Sequence, residues 1–138
     1  MFQIRPFRPA EDLNYVTSSF GREYSRTPLA MGTPARVLDA AIKRLIEDPD
    51  WKLAVCHLEG FEDEICGWIL WRDESTVGWV DVKHLYRRQG VARALVSHAD
   101  LQRGRLNAAF CVPKVSQMAH RHGLCIDFRP YLSFPVVR

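Results

Sequence analysis

The chain has 138 residues, 47% apolar and 25% charged, with a formal net charge of +3. That length suits one domain, and the composition is that of an ordinary globular protein with a sizeable core. The positive charge is too mild to argue by itself for nucleic acid; it comes almost wholly from arginine, whose forks suit phosphate and carboxylate groups.

Phe2 to Phe7 alternates apolar and polar residues and predicts a short strand. Pro9-Ala10-Glu11-Asp12 opens a helix, with proline and acidic residues in the first turn. Leu13, Val16, Phe20 and Tyr24 follow at helical spacing. Residues 25–32 read as a loop around Pro28, and Thr33-Pro34 as an N-cap and first helical position. The second helix presents Val37, Leu38, Ala41, Ile42 and Leu45 on one side and stops near Asp48-Pro49.

From Trp51 the period changes. Trp51 to Leu58, Glu64 to Trp71 and Thr76 to His84 predict an antiparallel meander, with an acidic turn over 59–64 and a second turn over 72–75. A basic loop follows, then a helix carrying Val91, Ala94, Leu95, His98 and Leu101 and closing near Gly104. Leu106 to Val112 predicts a strand, Pro113 to His122 a helix stopped by Gly123, and Leu124 to Phe128 a last strand before a proline-broken tail. The expected fold class is therefore α/β (α+β), a single domain over residues 1–138. Its mixed central sheet has about six strands flanked by helices, in the order β-α-α-β-β-β-α-β-α-β.

Cys56, Cys66, Cys111 and Cys125 lie in apolar segments without a close-pair motif, as expected of buried free thiols. The H-x-H-x-x-C run of His120, His122 and Cys125 lacks standard zinc spacing, so no metal is expected. No apolar run suits a signal peptide or a membrane span, which points to the cytoplasm.

The stretch Val80-Asp81-Val82-Lys83-His84-Leu85-Tyr86-Arg87-Arg88-Gln89-Gly90-Val91-Ala92 passes from strand through a tight basic loop into a helix. A helix start offers N–H groups without intrahelical partners and partial positive charge, which suits a phosphate. The spacing Arg87-x-x-Gly90-x-Ala92 resembles the Q/R-x-x-G-x-G/A signature of the GNAT acyl-CoA N-acyltransferase superfamily, and Val82 stands five residues before the arginine, as in that family. The order of elements is similar over nearly the whole chain. Within the superfamily, Ile4-Arg5-Pro6-Phe7, Val82 to Arg88 and Arg129-Pro130-Tyr131-Leu132 resemble small GNAT-like proteins encoded in tailed-phage genomes, which would place the chain in a host cytoplasm.

The resemblance implies an acyl-CoA cofactor, acetyl-CoA above all, and an amine-bearing acceptor that is a small molecule or a protein. Arg88, Gln89, Gly90, Val91 and Ala92 would hold the pyrophosphate through backbone N–H groups, with Arg87 framing the loop. Backbone groups around Asp81 and Val82 would bond the pantetheine arm, and Ser116 falls where several members have asparagine. The usual carboxylate position early in the fourth strand is Thr76, which leaves Glu74, Asp81 and His84 as candidates for the general base. The tyrosine that many members carry four residues before the closing glycine is Ala119 here; His120 and Tyr131 are possible substitutes. The acceptor region offers Tyr15, Tyr24, Arg22, Arg26, Trp51, Trp68, Trp71 and Trp79, of which Trp51 and Trp68 read best as core. Alternative readings are a non-catalytic GNAT-fold phage structural or host-interaction protein, favoured by Thr76 and Ala119, and an acyltransferase acting on a modified nucleic-acid base.

Overall fold

The computed structural model describes residues 1–25, 34–101, 104–108, 120–121 and 124–128. In chain order the elements are β1 (Phe2–Pro6), α1 (Pro9–Tyr24), α2 (Ala35–Glu47), β2 (Lys52–Leu58), β3 (Phe61–Asp73), β4 (Thr76–Val82), a 3-10 turn (His84–Tyr86), α3 (Val91–Ala99), β5 (Gly104–Ala108) and β6 (Leu124–Phe128). The strands form one sheet in sequential order. β1 to β4 run antiparallel to their neighbours, whereas β5 pairs parallel with β4 and β6 parallel with β5. The sheet is thus mixed, and α3 makes the crossover that a parallel β4–β5 pair requires.

The period-2 pattern of the strands assigns residues to two cores. On one face Val16 and Phe20 of α1 and Ile42 and Leu45 of α2 pack with Val55, Trp68, Leu70 and Trp79. On the other, Val91, Leu95 and Ala99 of α3 pack with Cys56, Ile69, Val80 and Val82. Trp51 and Trp68 are buried as expected of core residues, and Trp68 donates its indole N–H to Ser19 Oγ (2.8 Å).

α1 begins at Pro9, as predicted, but its cap lies inside the helix. Asp12 accepts the Arg8 N–H at 2.8 Å and also takes a two-pronged contact from Arg5 at 2.6 and 2.8 Å. The matched geometry of the pair, with further Arg5 bonds to the carbonyls of Pro6 and Glu62, offsets part of the cost of burying the guanidinium.

Several boundaries differ from the sequence reading. The turn predicted over 59–64 shrinks to Glu59-Gly60, since Gly60 takes φ +83° and lets β3 start at Phe61. Pro34 is the N-cap of α2 instead of its first residue. β4 ends at Val82, two residues early, because the chain turns into the 3-10 segment at His84. α3 ends at Ala99, where Asp100 adopts a left-handed conformation (φ +53°), and β5 already begins at Gly104. The helix predicted over 113–122 lies outside the described residues, apart from His120 and Arg121, which are helical.

Candidate functional site

The end of β4, the basic loop and the first turn of α3 form one continuous device. Lys83 extends the ladder by one bond, donating its N–H to the Cys66 carbonyl (2.8 Å). The 3-10 turn closes through Tyr86 N–H to the Lys83 carbonyl (2.8 Å) and Arg87 N–H to the His84 carbonyl (3.3 Å). Side chains fix it from below: Glu64 of β3 accepts bonds from Lys83 Nζ (3.2 Å) and the Tyr86 hydroxyl (3.0 Å), and the Tyr86 ring meets Phe2 edge-on.

Beyond this base the backbone turns through two left-handed residues, Arg88 (φ +65°) and Gly90 (φ +87°). Such a conformation is free for glycine and costs about 1–2 kcal/mol for a residue with a side chain. Successive N–H groups around left-handed residues point into one concavity, and such concavities hold anions. Among the described residues, none of the N–H groups from Arg88 to Arg93 donates to a backbone or side-chain acceptor, whereas Ala94 N–H closes the first helical bond onto the Gly90 carbonyl (3.0 Å). No side chain caps α3. Arg87, Arg88 and Arg93 are exposed around the concavity. The donors and charge therefore fit a pyrophosphate, with Val91 and Ala92 supplying N–H groups from the helix and Gln89 held by its Nε2 bond to the Leu85 carbonyl (3.2 Å).

Gly67 of β3 places this device on the sheet. A Cβ there would collide with the Asp81 carbonyl and press on Val91 Cγ1 (3.1 Å) and Leu95 Cδ1 (3.3 Å). The start of α3 approaches the strands closely because position 67 carries no side chain. A lone glycine in an apolar strand is the sequence signal for such an approach, and sequence reasoning did not use it.

Asp81 lies on the opposite side of β4. It is only 7% exposed, opposite Trp68 in the β3 register. Burial pushes its carboxyl up to about 6, and Glu23 of α1 pushes in the same direction; Arg87, Arg22 and the Trp79 indole pull the other way. Tyr15 of α1 is half-buried, and its hydroxyl is pushed up to about 12 by burial and by the charge of Asp81. Asp81 thus lies within the electrostatic reach of Tyr15, Arg22 and Arg87, and of Glu23, a residue that sequence reasoning missed. Its position next to last in α1 gave no signal, because only the packing of α1 against the sheet brings it near.

The other candidates are placed differently. Glu74 is not on the strand but exposed in the turn between β3 and β4. From there to Asp81 the chain runs the length of β4, roughly 20 Å of extended strand. Asp73 takes the turn-closing role, accepting the Ser75 N–H and hydroxyl (2.9 and 2.8 Å), so Glu74 points outward in the hairpin. His84 is exposed on the 3-10 turn. Thr76 is buried at the start of β4. The Val82 carbonyl accepts Arg87 Nε (3.2 Å). β4 pairs with β5 at Thr76–Asn107 and Val77–Ala108; the residues that continue from Ala108 lie outside the described residues. So do Ser116, Ala119, Tyr131 and Arg26. The Cys56 and Cys66 thiols are pushed up to about 11 by burial, which makes them poor nucleophiles.

No protein-family model and no curated protein matches the sequence. Solved structures do match its fold. A possible acetyltransferase from Clostridium difficile 630 superposes with a TM-score of 0.63 at 17% identity, covering 100% of this chain and 99% of that one. The ribosomal-protein-alanine N-acetyltransferase from Brucella melitensis gives 0.61 at 15% identity, covering 100% and 99%. The chain has the GNAT acetyltransferase fold. A third similar structure, AAC(6')-Iy bound to the bisubstrate analogue CoA-S-monomethyl-acetylneamine, gives 0.60 at 13% identity, covering 100% and 96%. Among the described residues no helix is long and apolar enough to cross a membrane.

Proposed function

We propose that this GNAT-fold chain is an acyl-CoA-dependent N-acyltransferase, using acetyl-CoA as donor and an amine as acceptor. The observation that carries the reading is the loop itself. N–H groups from Arg88 to Arg93, two left-handed residues and three exposed arginines are spent on a concavity that the fold does not otherwise need. Strain of this kind persists where function requires it.

The donor supplies the acyl group as an activated thioester. The chain's residues supply position and a base. The N–H groups of Arg88 to Ala92 bind the pyrophosphate, and Arg87 frames it. Backbone at Asp81 and Val82 lies where an extended arm leaving the loop runs along β4. Asp81 Oδ takes the proton from the acceptor ammonium, the freed lone pair bonds to the thioester carbonyl carbon, and the carbon–sulfur bond breaks, the leaving thiolate taking up the proton that the nitrogen sheds as the amide forms. A carboxyl poised near 6 is ionised at neutral pH yet basic enough to accept that proton. Neighbouring Tyr15 stays protonated and offers a neutral hydroxyl to the acceptor. Most of the acceleration comes from holding amine and thioester together.

Calorimetric titration with acetyl-CoA, beside coenzyme A and a 3'-dephosphorylated analogue, tests the reading. Micromolar binding is expected, followed by turnover with amine acceptors. Absence of binding at millimolar coenzyme A would show that the loop is a relic of the fold, and the non-catalytic interaction protein becomes the better reading.

A further inference from the structure

Arg87 faces two ways. Its backbone opens the anion loop, yet its side chain turns back, and Nε donates to the Val82 carbonyl at 3.2 Å, at the end of the strand that carries Asp81. Its head is exposed, so it is free to choose between that carbonyl and an anion held by the following N–H groups. An exposed cation within reach of two sites links them: whatever takes its charge at one site removes it from the other.

Asp81 is the other end of that link. The groups that act on it electrostatically are Glu23 and Arg22 from α1, with Tyr15 sensing its charge, Trp79 from its own strand, and Arg87 from the loop, while β3 sets Trp68 opposite it. Arg87 and Arg22 are the cations, and Glu23 opposes them. Arg22 belongs to a helix packed by Val16 and Phe20 into the core and has no part in the loop. Arg87 is the cation that an anion on the loop can withdraw.

We propose that Arg87 is a positioning residue that couples the anion loop to Asp81: an anion bound by the N–H groups from Arg88 to Arg93 draws the guanidinium off the end of β4, and Asp81 becomes a stronger base. The inference rests on the acyl-CoA reading only for the identity of the anion. Its consequence is an order of events. The carboxylate gains basicity once the donor is in place, and the protein takes up a fraction of a proton near pH 6 as the donor binds.

The test is a pH titration of the Asp81 carboxyl carbon by NMR in the full chain carrying 13C-labelled aspartate, assigned by its loss in Asp81→Asn. Three forms are compared, wild type, Arg87→Gln and Arg87→Lys, each with and without coenzyme A. Without coenzyme A, the midpoint is expected to rise by about half a pH unit in Arg87→Gln and to stay near wild type in Arg87→Lys, which keeps the charge. Saturating coenzyme A is expected to raise the wild-type midpoint and to raise it much less in Arg87→Gln. An equal rise in Arg87→Gln would mean that the phosphates act on Asp81 directly, and the proposal falls. So it does if coenzyme A binds wild type without moving the midpoint. If coenzyme A does not bind, the acyl-CoA reading fails, and the midpoints of the ligand-free forms still decide the link: no difference between wild type and Arg87→Gln overturns it.

Discussion

Gly90→Ala separates the loop's conformation from its chemistry. A Cβ at position 90 meets nothing within 4 Å, so the substitution creates no clash. What it does is place a side chain on a residue at φ +87°, which costs about 1–2 kcal/mol. That cost has two places to go. If the loop keeps its shape, it appears as lost stability, a fraction of the total of about 5–15 kcal/mol, and the protein still folds. If the exposed loop relaxes, it reappears on binding as a fall in coenzyme A affinity of roughly 5–30-fold. The sum of the two is fixed by the backbone. Urea unfolding and calorimetry on the same preparation measure both parts. Arg88→Asn is the companion variant: asparagine tolerates the left-handed region, so affinity falls only by the lost charge and stability holds. A Gly90→Ala protein with wild-type stability and wild-type affinity would refute the assignment of a left-handed Gly90 to the anion site.

Asp81→Asn is expected to lower turnover at saturating acyl-CoA by about a hundredfold or more, while Glu74→Gln leaves it unchanged; initial rates with the best acceptor decide. The same Asp81→Asn variant is expected to be more stable than wild type at pH 7.5. The folded carboxyl is raised from 3.8 to about 6, so the folded state binds the proton more tightly and stability falls as pH rises through that window. The gain is on the order of 2 kcal/mol and vanishes at pH 4, which thermal melts at the two pH values will show. Asp12 behaves oppositely: Arg5 and the Arg8 N–H hold it below its usual value despite burial, so its contribution is present at neutral pH and is lost as pH falls through the folded value. Asp12→Ala leaves Arg5 buried without its partner and is expected to cost about 3–5 kcal/mol in urea unfolding. Gly67→Ala is expected to destabilise by about 1–3 kcal/mol and to weaken coenzyme A binding as well, since it pushes the start of α3 away from β4. Loss of stability with binding intact would separate α3 from the anion site.

The elements with strong local signals were legible from the residues alone. Pro9 with Glu11 and Asp12 marked the start of α1, and the apolar run after the turn over 72–75 marked β4. Arg87-x-x-Gly90-x-Ala92 located the loop because a spacing that suits anion contact is local in sequence. Backbone choices with no side-chain signature were not legible: nothing in Arg88 announces φ +65°, and nothing in Asp100 announces the left-handed stop of α3. Glu74 illustrates a different failure. It has the right parity relative to Thr76 but sits where Asp73 and Ser75 close a turn, and side-chain parity has no meaning off the strand. Glu23 and Tyr15 enter the surroundings of Asp81 only through tertiary packing of α1, which no spacing within α1 encodes.

Strand parity also explains why the device works across a sheet. Val80 and Val82 face α3, and Trp79 belongs to the α1 and α2 face, where the charges of Arg22 and Glu23 act on Asp81. The helix that ends the anion loop and the carboxylate are therefore on opposite faces of β4, and Asp81 stands between the two valines that meet that helix. A side-chain contact through the strand is impossible, so any communication must pass around its end. There the Val82 carbonyl and the Arg87 guanidinium meet, and Gly67 brings the start of α3 close enough for that meeting to lie beside the loop. An inserted residue after Val80 would exchange the two faces, turning Asp81 into the α3 core and a valine toward α1. Such a variant would lose both halves of the site together, because one register sets both faces of β4.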